Sequence, residues 1–125
     1  LGSVNLFNGR VDGQTVRVGE DTLHLGAPQS LPQGADVVAF ARPHELEIVT
    51  DTQTTAGVGA KVSRVLSFGV TARVELDGMH TSAGQHFEVE MTRERLAELA
   101  LQEGQLVRLH PSHLKVFGTQ EKEAA

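Results

Sequence analysis

Residues that could bind an anion lie close together in the segment Ser67-Phe68-Gly69-Val70-Thr71, which Arg73 follows. A glycine can expose backbone amides, and hydroxyl and guanidinium groups donate hydrogen bonds, so the segment could form a nest for an oxyanion. The candidate anion-binding residues are Ser67, Gly69, Thr71 and Arg73. A glycine bend between two strands explains the same residues, and we favour that interpretation.

The tripeptide Arg42-Pro43-His44 could contact a partner domain, because an arginine can form a forked pair with a carboxylate. Pro43 could equally end one strand before the next begins, because proline donates no backbone hydrogen bond to a sheet. Both interpretations stay open, and the candidate interface residues are Arg42, Pro43 and His44.

Metal binding and acid–base catalysis are not favoured by the remaining polar residues. His110 and His113 are three residues apart, but Pro111 between them forbids a helix and no third ligand is suitably spaced. We therefore expect surface or turn histidines and no metal site. Glu88 and Glu90 alternate along one predicted strand, which is typical of a solvent-facing row rather than a catalytic pair.

The composition excludes several classes of protein. The 125 residues carry a formal net charge of −5, with five Phe, no Trp, no Tyr and no Cys. The absence of cysteine excludes a disulfide framework and cysteine-ligated zinc. A basic groove with stacking aromatic residues is missing, so we expect no nucleic-acid partner. No apolar run reaches the length of a membrane span.

A nucleotide-binding loop is also missing from the sequence. Such a loop reads Gly-x-x-x-x-Gly-Lys-Ser/Thr, and its amides and lysine hold phosphates. None of Lys61, Lys115 and Lys122 follows a glycine. We therefore expect that this chain is not an enzyme and neither binds nor hydrolyses ATP.

Two short patterns occur twice in the same order. Gly-x-Thr-x-Arg-Val spans 13–18 and 69–74, and Pro-x-x-Leu-x-Ile/Val spans 43–48 and 111–116. This repetition predicts a duplicated β-unit. The second copy is longer, and its extra length contains the one convincing helical run, at about 92–100.

The predicted organisation is a first β-unit at 1–57, a second at 58–118 with the helix inserted, and a flexible tail at 119–125. The two units together form one compact domain. Many short strands separated by turns, such as one at Asp77-Gly78 before a strand over 80–91, predict an all-β fold with one short helix, arranged as a small antiparallel barrel.

The chain resembles a known family. Leu-Gly-x-Val-Asn-x-Phe opens the sequence, Arg-Pro-His-Glu follows at 42–45, and further matching segments lie at 69–76, 90–95 and 104–117. In this order they resemble the C-terminal TOBE-type accessory domain of the ATP-binding subunits of bacterial ABC importers. Among these, the subunits of sulfate/thiosulfate importers are the most similar. The resemblance covers essentially the whole chain.

The resemblance implies a duplicated oligonucleotide/oligosaccharide-binding-fold-like β-barrel and a regulatory, dimer-stabilising role. Its implied partners are the ATPase domain in cis, a second copy of the subunit and, indirectly, the membrane permease subunits. ATP and Mg are expected only on the ATPase domain, so this chain is expected to be part of a longer subunit and to hold no cofactor. The implied location is the cytoplasmic face of the cell membrane. We expect weak pairing of the chain alone, through apolar strand surface in the second unit.

Two other functions stay open. An oxyanion-sensing domain would bind sulfate or a related anion and shift the transporter towards an inactive state. A stand-alone carbohydrate- or oligonucleotide-binding barrel fits the fold, but the negative charge and the few aromatic residues weigh against it.

Overall fold

The computed structural model describes residues 3–26 and 30–119 of the chain. In this part the backbone forms mostly β-strands with one helix, which confirms the predicted fold class. The strands are β1 (Asn5–Asp12), β2 (Thr15–Val18), β3 (Asp21–His24), β4 (Asp36–Ala41), β5 (Leu46–Val49), β6 (Val58–Phe68), β7 (Thr71–Gly78), β8 (His86–Thr92), β9 (Leu106–Pro111) and β10 (Lys115–Gly118). The helix α1 is Arg93–Leu99, and 3-10 turns span Pro43–Glu45 and His80–Ser82.

The strands form two antiparallel sheets of five strands each. Sheet 1 has the order β10-β4-β1-β2-β3, and sheet 2 has the order β5-β9-β6-β7-β8. The two orders correspond strand by strand. β1, β2, β3 and β4 have the same places in sheet 1 as β6, β7, β8 and β9 have in sheet 2, and β10 has the place of β5. The two halves of the described chain therefore repeat one topology, which supports the duplication that the sequence patterns predict.

The two halves also exchange a strand. β5 pairs with β9 in sheet 2, and β10 pairs with β4 in sheet 1. Each half therefore supplies four strands of its own sheet and the fifth strand of the other, so neither predicted unit, 1–57 or 58–118, forms a complete five-stranded sheet by itself. The boundary at residue 57 stays a prediction.

The first repeated pattern forms the same hairpin in both halves. Gly13 is the first residue of the two-residue loop between β1 and β2, and Gly69 has this place between β6 and β7. Both glycines have φ of +61°, which suits the first loop residue of a type II′ hairpin turn. The favoured interpretation of Gly69 as a bend between two strands agrees with this geometry.

The second repeated pattern marks the strand exchange. Pro43 opens the 3-10 turn between β4 and β5, and Pro111 ends β9 just before the chain crosses to β10. The leucine three residues after each proline, Leu46 or Leu114, is buried in the core. The pattern therefore leads the chain out of one sheet and anchors its start in the other.

One predicted turn is wrong. Asp77 and Gly78 continue β7, with Asp77 opposite His86, and the chain reverses only through the 3-10 turn His80–Ser82. The predicted strand over 80–91 therefore begins at His86. Gly78 is buried, and a Cβ at this position would overlap the carbonyl oxygen of Ser82. Glycine is needed here for close packing and not for a turn.

The helix lies within the run that the sequence predicts. The Thr92 hydroxyl caps it by accepting the backbone N–H of Arg95 at 3.0 Å, and Ala100 ends it in a left-handed conformation with φ of +49°. Leu96 and Leu99 are partly buried against the core. The short helix therefore packs against the core beside β7 and β8 through one apolar stripe.

The core lies between the two sheets and is joined at one end by Asn5 of β1. The rings of Phe7 and Phe87 stack with centroids 5.0 Å apart. The buried side-chain amide of Asn5 accepts the backbone N–H of Glu88 at 2.7 Å and donates to its carbonyl at 2.9 Å. Asn5 thus bonds to β8 as a neighbouring strand would, and links sheet 1 to sheet 2.

At another place the sheets are joined by a largely buried ion pair, which we call the seam clamp. Its members are Asp21 on β3, Arg108 on β9 and the carbonyl groups of Ala56 and Gly57. Arg108 donates to Asp21 at 2.7 Å, to Gly57 at 2.6 Å and to Ala56 at 3.2 Å. The other carboxylate oxygen of Asp21 accepts the backbone N–H of Gly59 at 3.1 Å. The clamp therefore ties sheet 1, sheet 2 and the connecting segment 50–57 together.

Of the predicted tail 119–125, only Thr119 is among the described residues. Its backbone N–H donates to the carbonyl of Asp36 on β4 at 3.1 Å, so Thr119 extends the contact of β10 with β4. Residues 120–125 lie outside the described residues.

We expect Gly69→Val to destabilise the chain more than Thr71→Val. No atom lies within 4 Å of a Cβ built on Gly69, so the cost is that of forcing a β-branched residue to positive φ, about 1–3 kcal/mol. Thr71 lies in β7, where valine is a good strand former, and its replacement should cost less than about 0.5 kcal/mol. Urea unfolding followed by circular dichroism compares the two, and equal midpoints would contradict a strained turn at Gly69.

We expect Asp21→Asn to lower the free energy of unfolding by about 2–3 kcal/mol, because it leaves the largely buried Arg108 charge without its partner. The Asp21 and Arg108 side chains are only 18% and 11% exposed. The asparagine keeps an acceptor for the Gly59 amide, so the substitution tests the loss of the negative charge alone.

The matched control is Glu75→Gln, which breaks the more exposed Arg64–Glu75 pair on sheet 2. It should cost less than about 1 kcal/mol, because water screens that pair. Similar urea midpoints for Asp21→Asn and Glu75→Gln would show that the clamp does not hold the sheets together.

Candidate functional site

An exposed apolar surface lies on the outer side of sheet 1. We call it the apolar face and define it by Leu6 on β1, Val38 and Phe40 on β4, and Phe117 on β10. Leu6 lies opposite Phe40, and Val38 lies opposite Phe117, so the strand pairing places all four side chains on one side of the sheet. Leu6 is 43% and Phe117 is 56% exposed, and the Phe40 and Phe117 rings meet edge to face at 5.4 Å.

The border of the apolar face carries charges of both signs. A shallow hollow of about 250 Å³ lies at one end of the face, beside Phe40 and Phe117. Its other lining residues are Val4, Ala41, Arg42, Glu45 and Lys115. A surface with an apolar centre and a mixed polar border is the composition of a protein–protein contact.

The sequence of β4 contains a signal of this face. β4 reads Asp36-Val37-Val38-Ala39-Phe40-Ala41, so apolar residues occupy both sides of the strand and not only the core side. A strand with one side in water usually alternates between apolar and polar residues. The missing alternation in β4 is the signal in the sequence that its outer side is apolar, and it makes this side a candidate contact surface.

The predicted interface residues take different positions. Arg42 is exposed and lines the hollow beside the apolar face, while its backbone N–H donates to Glu45 at 2.8 Å. Pro43 is buried and belongs to the 3-10 turn that packs on β8. His44 is exposed. The structure therefore places Arg42 at a candidate surface and gives Pro43 a structural role, and the interface role of the three residues stays a prediction.

The predicted anion-binding residues lie together on the β6–β7 hairpin but do not share one side of it. Thr71 and Arg73 alternate along β7 and point to the same side, whereas Ser67 lies opposite Ala72 and therefore points to the other side. Gly69 forms the exposed turn itself. At most three of the four residues could contact one anion, and this site too stays a prediction.

The charge of Arg73 is already matched by two carboxylates. Its guanidinium donates to Glu88 at 3.0 Å and to Glu90 at 3.1 Å, and all three side chains are about one-third exposed. The alternating row of Glu88 and Glu90 therefore binds an arginine on the neighbouring strand. Two carboxylates beside one guanidinium repel a further anion.

The tip of the same hairpin is a second exposed apolar feature, in the second half of the chain. Phe68 is 60% and Val70 is 85% exposed. The tip is braced by Arg93 at the start of α1, which donates its backbone N–H to Val70 and its side chain to Gly69, both at 3.0 Å. The two apolar side chains are isolated on a turn and do not form a continuous face.

The two histidines of the His110–His113 pair have different surroundings. His113 is exposed in the bend after β9, as expected of a turn histidine. His110 lies in β9 with its Nε2 buried, so the expectation of a surface or turn position is wrong for it. Over residues 3–26 and 30–119, no group of three or more His, Asp or Glu side chains is arranged to hold a metal ion.

The helical part of the described chain gives no sign of a membrane span. α1 has seven residues, and no helix of the described residues is long and apolar enough to cross a bilayer.

Comparison with known proteins gives two family models that divide the chain. Residues 5–48 match the CysA C-terminal regulatory domain, and residues 52–112 match the TOBE-like domain. The residues between the two matches, 49–51, lie at the end of β5 and the start of the connecting segment 50–57.

Curated relatives match nearly the whole chain. The sulfate/thiosulfate import ATP-binding protein CysA 1 of Chromobacterium violaceum is 44% identical over 119 residues, and the CysA protein of Bacillus cereus is 36% identical over 118 residues. Each match covers 94% of this chain but only 32% of the relative. The chain thus spans about a third of the length of these relatives.

A solved structure shares the fold. The cytoplasmic molybdate-binding protein ModG, in a form with molybdate bound, superposes with a TM-score of 0.66 and 22% identity, over 90% of this chain and 94% of that chain. At this identity the likeness establishes the architecture alone, which is the TOBE-type arrangement related to the oligonucleotide/oligosaccharide-binding fold. From the two family models and the curated relatives together, we conclude that the chain belongs to the family of TOBE-like, CysA-type C-terminal regulatory domains, and that it is similar to about a third of the length of the sulfate/thiosulfate import ATP-binding proteins.

Proposed function

We propose that the chain is the regulatory accessory domain of a sulfate/thiosulfate importer subunit, and that it stabilises the subunit dimer by pairing with a second copy through the apolar face. The observation that carries the pairing is the uncovered cluster of Leu6, Val38, Phe40 and Phe117 on the outer side of sheet 1. Burying such a cluster is favourable by about 25 cal/mol for each Å² of apolar surface that is removed from water.

The charged residues at the border of the apolar face support the proposal that a second copy of the chain binds there. In a two-fold symmetric contact the same surface patch faces itself, so it must be self-complementary. Arg42 and Lys115 on one copy can then approach Glu45 on the other. A face bordered by one sign of charge only would repel its own copy.

In the intact subunit, the pairing would keep two ATPase domains near each other while ATP opens and closes their contact. A contact that persists raises the effective concentration of the separated ATPase domains. On this proposal, ATP and Mg bind to the ATPase domain in cis, and the permease subunits at the cytoplasmic face of the membrane are reached through that domain. The accessory domain itself performs no catalysis.

We expect the chain to self-associate weakly, with a dissociation constant on the order of micromolar to millimolar, because the face is small compared with a stable interface. Sedimentation velocity across a wide concentration range should show a rising weight-average coefficient. Added salt should change it little, because apolar contacts are barely screened.

Phe117→Ser should abolish this association, because Phe117 is an exposed member of the face and supports little of the fold. The matched control is Phe68→Ser on the hairpin tip, a position of similar exposure, which should associate as the natural chain does. A strictly monomeric natural chain, or loss of association in Phe68→Ser alone, would overturn the proposal. The second result would indicate a contact in the second half of the chain, as the sequence predicts.

Oxyanion sensing is the function that the sequence left as the alternative, and a titration tests it. We expect no saturable heat when sulfate is added to the chain at constant ionic strength, because Glu88 and Glu90 already neutralise Arg73. Saturable heat that disappears in Arg73→Gln would contradict this expectation and favour the anion sensor.

A further inference from the structure

The side chain of His110 on β9 contains a buried nitrogen that forms no hydrogen bond with any described residue. Its Nε2 is shielded from solvent and has no hydrogen-bond partner among the described residues. Buried polar atoms are nearly always paired, because an unpaired one loses its bonds to water without replacement. The unpaired nitrogen of His110 is therefore unusual and points to a specific role.

The imidazole of His110 lies directly beneath the backbone of Gly57. A Cβ at Gly57 would stand 2.7 Å from Cδ2 and 2.8 Å from Nε2 of the ring. Gly57 also has φ of +79°, so both its space and its conformation require glycine. The end of the connecting segment 50–57 thus forms the cover over the histidine.

The same cover is part of the seam clamp. The Gly57 amide donates to the carbonyl of Thr22 on β3 at 2.7 Å, and the Thr22 amide donates to the carbonyl of Thr55 at 3.0 Å. Arg108, two residues before His110, holds the Gly57 carbonyl from the other side. A displacement of the imidazole would therefore disturb the bonds that join the two sheets.

The charged groups around His110 come from three strands. Arg108 lies on its own strand, Glu47 lies opposite it on β5, and His24 is the last residue of β3. Gly57, which covers the ring, carries no charge. Burial lowers the pKa of His110 and the Arg108 charge lowers it further, while Glu47 acts in the opposite direction and His24 again lowers it.

We propose that His110 makes the seam clamp sensitive to acid: the neutral imidazole fits beneath Gly57, and its protonation releases segment 50–57 from β9 of sheet 2 and from β3 of sheet 1. A neutral ring can leave Nε2 without a proton, whereas the cation must carry an N–H at both ring nitrogens. That N–H would meet no acceptor, and the new charge would lie near Arg108. The closed clamp therefore disfavours the cation, and protonation favours the form in which the ring has moved into water.

The direction of the effect follows from linkage. The pKa of His110 is below its ordinary 6.5 in the closed clamp, so the open form binds protons more readily. The closed form has its full stability above the ordinary pKa. It loses stability as the pH falls below that value, until the pH passes the lowered pKa of the closed form.

Amide hydrogen exchange, measured by NMR on this chain at about pH 7.5 and about pH 5.5 and corrected for the intrinsic rates, tests the proposal. The Gly57 and Thr22 amides report the clamp, and the amide of the buried core residue Val74 on β7 reports the rest of the fold. In the natural chain, Gly57 and Thr22 should lose protection several-fold at the lower pH, and Val74 should not.

Two variants without an ionisable ring at this site, His110→Leu and His110→Gln, should keep the same protection at both pH values, and either one suffices if the other does not fold. His113→Gln removes an exposed histidine of the same region and should respond to acid like the natural chain. Glu47→Gln removes the one charge that favours the cation, so its clamp should open more than that of the natural chain at the lower pH. An acid response that persists in the His110 variants, or is absent from the natural chain, would overturn the proposal.

Discussion

The position of the two sheets relative to each other depends on the largely buried guanidinium of Arg108. This group belongs to sheet 2, bonds to β3 of sheet 1 through Asp21 and holds the connecting segment by two carbonyls. A buried charge is costly unless all of its hydrogen bonds are made, and here the carboxylate and the carbonyls supply the acceptors. The strand exchange of β5 and β10 and the Asn5 bonds to β8 strengthen the same junction. The sheets are therefore joined at several places, and the outer side of sheet 1 remains on the surface of the pair.

Much of this fold could be predicted from the sequence, because its signals are local. The type II′ turns need Gly13 and Gly69, the helix needs the Thr92 cap, and the repeated patterns expose the duplication. The prediction of a turn at Asp77-Gly78 is wrong because the sequence does not distinguish a glycine that permits close packing from a glycine that permits positive φ. The seam clamp could not be predicted, since Asp21 and Arg108 are 87 positions apart and no spacing rule links them.

The functional surfaces were harder to predict than the fold. The hairpin residues have the right chemistry for an oxyanion, but only tertiary pairing reveals that Arg73 is bound by Glu88 and Glu90. The apolar face combines residues from both ends of the chain, because β10 joins β4 and β1 only after the strand exchange. Leu6 and Phe117 therefore become neighbours of one patch through topology. The sequence placed the contact in the second unit, whereas three of the four residues of the apolar face lie in the first half.

Association through the apolar face can be located without any substitution. Amide chemical shifts of the isotope-labelled chain, recorded over a wide range of concentration, report which residues enter a contact as it forms. The account predicts shifts that change with concentration along the outer side of β1, β4 and β10, near Leu6, Phe40 and Phe117, and constant shifts at the hairpin tip around Phe68 and Val70. Changes confined to the hairpin tip, or no changes at all, would contradict it.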